Sequence, residues 1–266
     1  MVKFKSSQVI WSKGQSEVLT IIILTGVLVV IAVTALYFGS DLLTSSSGTS
    51  EFVAAQSSLI AFSELLEQKV AIEGSAASIS IPTSLGSLTV ADSFGRIVFN
   101  VSGVSNPETL SIAEINNSRI VKSIAYYAHG KARGALVNGT EISGDTIATV
   151  KEEGPIVITV AFNDQVDRWC VKLTTKPHYF IVETGEVKHS ILHLILLNAS
   201  SNYNELVSVS SSSTLKFYVE KLYRDVLPEG ATLQVIVDGE VYGTYGGENE
   251  ILTVIVSVAR LSVLPG

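Results

Sequence analysis

A chain of 266 residues, 47% of them hydrophobic, with a formal net charge of −7, can bury a sizeable core in one large or two small domains. An acidic balance without a basic stripe to neutralise phosphates excludes nucleic acid as a partner. One cysteine, Cys170, cannot close an intrachain disulfide, so the fold must be held by its core rather than by crosslinks.

The first predicted element is an apolar helix. Residues 18–38 carry no charge, and about 21 residues at 1.5 Å each reach roughly 31 Å, the thickness of a bilayer core. Lys3, Lys5 and Lys13 precede the run, whereas Asp41 is the first charge after it and Lys69 the next lysine. This asymmetry predicts a cytoplasmic N-terminus, with everything after Phe38 outside. Tyr37 and Phe38 stand where interfacial aromatics would. A cleaved secretory signal needs an apolar region of about 7–15 residues and small residues at its exit. The run is longer than that, and its exit, "VTALYFGSDLL", has no A-x-A pattern. By length and flanks alone, the simplest reading is a signal anchor that stays in the membrane and tethers an outer domain.

The residues before the run sharpen this. In "WSKGQSEVLT" a Lys13-Gly14 pair is followed by Gln15-Ser16-Glu17 and then by the apolar helix. The arrangement resembles the class III signal peptide of archaeal type IV pilins and pilin-like proteins, in which a prepilin peptidase cuts after a Lys-Gly or Arg-Gly pair. The resemblance spans about residues 11–40 and implies a cut between Gly14 and Gln15. A glycine there suits a peptidase that must admit extended backbone. Residues 1–14 would leave as a leader, and residues 15–40 would remain as a transmembrane helix that becomes a filament core. The assembly helix would then present Glu17, Val18, Ile21, Leu24, Leu28, Ile31 and Leu36. Partners implied by the resemblance are the peptidase, the membrane and other pilin subunits. Bacterial type IV pilins carry their glutamate fifth after the cut, and Glu17 would be third, so pairing with a neighbour's new amino group does not carry over. The glycine-rich start of archaellum subunits is missing too, which favours an adhesion-type pilin.

Residues 41–74 are expected to form a linker and an amphipathic helix. Serine, threonine and glycine crowd residues 39–51 and predict a kink or short linker. Beyond them Phe52, Leu59, Phe62, Leu66 and Val70 recur at helical spacing, with Ser50 as N-cap and Gly74 as stop. From residue 75 to 266 the period is two. Segments such as "ASISIP", "GRIVFNVSG", "RWCVKLTT" and "EILTVIVSVARLSVLP" read as strands. Turn signals stand at Asn138-Gly139, Thr184-Gly185, Asp238-Gly239 and Gly246-Gly247. The predicted class is α+β, a transmembrane or stalk helix followed by a mainly antiparallel, sandwich-like β domain. The serine-rich residues 200–214 predict a long loop.

Chemistry is sparse. His189 and His193 have helical metal-ligand spacing, but they stand in a strand, about 13 Å apart. His129 and His178 add no motif, and no metal or cofactor is expected. There is no nucleophile elbow, phosphate loop or calcium loop. Glu152-Glu153, Asp164 and Asp167 read as solvated turn residues, and Trp169 beside Cys170 as core. The expectation is therefore not an enzyme. Asn100, Asn116, Asn138 and Asn198 begin N-x-[ST] sequons and are candidate glycosylation sites on an extracellular domain. Three functional readings result, in falling order: a major or minor pilin-like subunit of an archaeal surface filament, an uncleaved membrane-anchored extracellular β-domain binding protein, and a secreted hydrolase whose catalytic group follows no familiar motif.

Overall fold

The computed structural model describes residues 8–90, 94–128, 135–137, 140–142, 147–163, 168–184, 187–199 and 212–265. Two units divide the chain, Met1–Ser46 and Ser47–Gly266. Helix α1 is assigned as one element, Gln8–Lys69, so the backbone is helical through residues 39–51, where a kink or linker was expected. Ser40 Oγ donates to the Tyr37 carbonyl and Thr44 Oγ1 to the Ser40 carbonyl, both at 2.9 Å. Hydroxyls that would compete with the helix are thereby absorbed into it. Their propensity penalty, roughly 0.5 kcal/mol each, is too small to break a run flanked by strong helix formers. Lys69 ends α1, where its charge complements the helix dipole. Gly74 then turns the chain with φ 81°, a left-handed value that glycine adopts without strain.

The strands follow in chain order. They are β1 (Ala76–Pro82), β2 (Gly86–Val90), β3 (Phe94–Ser102), β4 (Arg119–Val121), β5 (Ser123–Ala128), β6 (Ala135–Val137), β7 (Thr140–Ile142) and β8 (Ala148–Lys151). After these come β9 (Ile156–Asn163), β10 (Arg168–Thr175), β11 (His178–Thr184), β12 (Val187–Ala199), β13 (Ser212–Leu227), β14 (Thr232–Val237), β15 (Glu240–Gly246) and β16 (Glu250–Pro265). Short helical turns at Pro107–Thr109 and Ser111–Ile115 join β3 to β4. The class is α+β, as expected. A central sheet has the order β1-β13-β16-β12-β11, a second β2-β5-β10-β9-β8, a third β15-β14-β3-β4, and β6 pairs with β7. Among the described residues pairing is antiparallel with one exception: β12 runs parallel to β16 from Lys188 opposite Glu250 to Ala199 opposite Leu261.

Two cores use opposite faces of the central sheet. In the first, Leu215, Phe217 and Val219 of β13 stand beside Val263, Leu261 and Ala259 of β16. Against them pack α1, through Phe52, Leu59, Phe62, Leu66 and Val70, and the second sheet. All five helix residues predicted to face inward are fully buried. Phe62 meets Phe217 edge-on at 5.5 Å, and Phe52 lies 6.3 Å from Tyr126 of β5, so α1 touches both sheets. The second core joins Tyr223 and Leu227 of β13 and Leu252, Val254 and Val256 of β16 to the third sheet and to Ile112 and Ile115. Val256 and Ala259 are three residues apart, and odd spacing on a strand means opposite faces. On β12, Leu192, Leu194 and Leu196 enter the second core while Ile195 and Leu197 enter the first. That is why "LILL" is a continuous apolar run.

Strand β13 makes the same change of face differently. Its buried residues stay odd-numbered throughout, yet the register shifts between Val219 and Lys221. Glu220 is the extra residue of a β-bulge, and one extra residue reverses every side chain beyond it. At the far end Asp225 accepts from the backbone N–H groups of Ser111 and Ile112 at 2.9 and 2.8 Å, fixing the short helix over the second core. The predicted turn at Asp238-Gly239 has φ 55° and 84°, the paired left-handed values of a type I′ hairpin. Asn138-Gly139 and Gly185 lie outside the described residues.

Candidate functional site

The N-terminal part of α1 exposes its apolar side chains. Among the residues expected to form an assembly surface, relative exposure runs from 57% at Leu28 to 74% at Leu36, with Val18, Ile21, Leu24 and Ile31 between. These lie on one broad face, and Leu19, Ile22, Ile23, Val27, Val30 and Val33, exposed as well, cover the other sides; a helix apolar all round belongs in lipid or inside a protein assembly. It is long and apolar enough to span a membrane or to serve as a signal sequence. Leaving such residues in water would forgo roughly 1.5–3 kcal/mol each, and the exposed area far exceeds the apolar patches of soluble monomers.

Its polar groups are suited to an apolar medium. Thr25 Oγ1 donates to the Ile21 carbonyl at 2.8 Å and Thr34 Oγ1 to the Val30 carbonyl at 2.6 Å. A hydroxyl bonded back to its own helix brings no unsatisfied donor into lipid. Tyr37 and Phe38 meet edge-on at 6.0 Å close before Asp41, the first charge after the run.

Lys13, Gly14, Gln15 and Glu17 lie on helical backbone of α1, and their side chains are outside the described residues. A peptidase reads extended backbone, so a cut after Gly14 requires that turn to unwind. Glycine, the weakest helix former after proline, lowers the cost there by about 1 kcal/mol.

In the β domain the sequons differ. Asn100 on β3 is exposed. Asn116 is half-buried, its side-chain oxygen accepting from the Phe99 N–H at 2.6 Å and its amide donating to the Phe99 carbonyl at 3.4 Å. Asn198 is half-buried on β12, and Asn138 lies outside the described residues. His193 stands opposite His178 on β11, whereas His189 stands opposite Val182. Burial, then the neighbouring His178, hold the His193 pKa below its ordinary value, and its Nε2 lies 3.2 Å from Ser257 Oγ. Among the described residues no three metal-ligating side chains converge. Glu152 and Glu153 are exposed, Trp169 packs edge-on to Phe162 at 5.5 Å, and His129, Asp164 and Asp167 lie outside the described residues.

One feature escaped the sequence: a cleft of about 490 Å³ walled by residues of β3, β4, β10, β12, β14 and β15. Its residues are scattered over more than half the chain, so no local pattern announces it. No family model, curated protein or solved structure matches the chain.

Proposed function

We propose that this chain is a type IV pilin or pilin-like subunit of an archaeal surface filament. The observation that carries the reading is the exposed, charge-free stretch of α1 over residues 18–38, with Thr25 and Thr34 bonded back to the helix, followed by a β domain that has its own cores. The Lys13-Gly14-Gln15 junction in front of it supplies the processing step. Cutting after Gly14 removes the basic leader and keeps the apolar helix on the mature subunit. In the membrane that helix is covered by lipid; in a filament identical helices cover it instead. Lipid tails and a neighbouring apolar helix are about equally apolar, so the transfer has little hydrophobic cost and packing decides it. The β domain faces outside and makes the adhesive or surface contacts.

The test is the mature N-terminus. Mass spectrometry of the N-terminal peptide from surface-exposed protein should find Gln15, or its cyclised form, as the first residue. Gly14→Val should leave the leader attached and raise the mass accordingly. An intact Met1 or Val2 on surface-exposed protein would overturn the proposal and leave an uncleaved anchored binding protein.

A further inference from the structure

We propose that the cleft between the sheets binds a small organic anion with an apolar body, such as an aryl or branched aliphatic carboxylate. Its volume, about 490 Å³, lies in the range of small-molecule sites. Ile97, Leu194, Leu196 and Val235 line it, all nearly or fully buried, and offer an apolar wall. Three of the chain's twelve lysines, Lys122, Lys172 and Lys176, line it, in a protein whose net charge is −7.

The three lysines are not equivalent. Lys122 is engaged by Asp238, whose other oxygen accepts from the Arg96 N–H at 2.8 Å. These partners hold the Asp238 carboxyl below its usual range, the Lys122 hydrogen bond first and the Arg96 N–H second. Lys172 and Lys176 have no carboxylate partner among the described residues. Both are half-buried, so their stems can lie along apolar surface while the ammonium groups reach the opening. The lining includes one further carboxylate, the exposed Glu240, so three ammonium groups stand against two carboxylates. A ligand carboxylate would take a hydrogen bond from Lys172 or Lys176, and an apolar body would cover the wall. A cation would meet two unpaired ammonium groups, and a bare inorganic anion would leave the wall empty. This site is independent of the filament proposal.

The probe is trifluoromethyl-phenylacetate, followed by fluorine NMR against the detergent-solubilised full chain, with empty micelles as blank and the uncharged primary amide as comparison. Saturable binding of the carboxylate is expected, with the amide roughly tenfold weaker, as losing one charge-assisted hydrogen bond predicts. Lys172→Gln with Lys176→Gln should remove that difference, and Thr174→Trp, which fills the cleft, should abolish binding of both probes. Inorganic phosphate should compete poorly. Equal affinity for carboxylate and amide, full displacement by phosphate at the probe's own concentration, or binding unaffected by Thr174→Trp would each overturn the proposal.

Discussion

Glu51 shows how one side chain can hold several elements. It lies on α1, only 8% exposed, and its carboxylate accepts from the Leu85 N–H at 2.8 Å, from the Tyr126 hydroxyl at 2.7 Å and from Ser84 Oγ. The helix is thereby tied to the β1–β2 connection and to β5 at once. A buried carboxylate is tolerable here because several donors converge on it. Glu51→Gln keeps the shape but turns an amide NH₂ towards groups that are themselves donors. It should cost about 2 kcal/mol, the penalty for leaving a buried donor unpaired, read as a lower denaturant midpoint at unchanged slope. The pH response gives a second readout. Burial, and then the hydrogen bond to Glu51, push the Tyr126 pKa up. A raised pKa means stability that is complete below the ordinary tyrosine value of about 10 and is lost as pH rises above it, because the unfolded chain ionises first. Tyr126→Phe should therefore reduce, without abolishing, the alkaline loss of stability, since Tyr179 and Tyr245 are also raised.

Among the elements, β13 carries the sharpest dependence on one residue. Without Glu220, either Leu215, Phe217 and Val219 or Tyr223 and Leu227 must turn away from their core. Misplacing Tyr223 and Leu227 alone forgoes about 3–6 kcal/mol of burial. Deleting Glu220 should accordingly abolish cooperative unfolding or lower stability by that amount. Glu220→Ala, which keeps the bulge and loses only the ion pair with Arg260, should cost less than about 1 kcal/mol. Chemical denaturation of both variants tests this. The same geometry explains what could be read from the sequence. Stretches with one buried face, such as β14 and the first half of β13, show alternation and are legible, as is the buried stripe of α1 from Phe52 to Val70. Strand β5, "SIAYYA", is buried at all six positions and shows none, so the middle of the second sheet was missed. The parallel β12–β16 pair is a property of topology that neither strand records. The helical backbone of residues 39–51 could not be read from their serines, threonines and glycines, because local propensity is weak beside helical flanks. For the candidate sites the division is similar. The apolar run of residues 18–38 is contiguous and legible directly, whereas the cleft exists only after six strands have been brought together.

For the whole molecule, the decisive quantity is what covers the apolar surface of residues 18–43 in the cell. A membrane anchor has lipid on every side of that helix, a dimer has one covered stripe, and a filament core has identical helices around each copy. The composition permits a direct test. Cys170 is the chain's only cysteine and is 6% exposed, so the parent protein should give little disulfide-linked product. Single cysteines at the consecutive positions Ile21, Ile22, Ile23 and Leu24, all exposed, sample every side of the helix, because each residue turns by about 100° from the last. In surface filaments sheared from cells and oxidised, every one of these variants should give disulfide-linked dimers, since a bundle places a neighbour on each side. The same variants in membranes before assembly should react with a thiol label instead. Crosslinking confined to one stripe would indicate a simple dimer, and its absence at all four positions would mean that lipid alone covers the helix, which contradicts the filament reading.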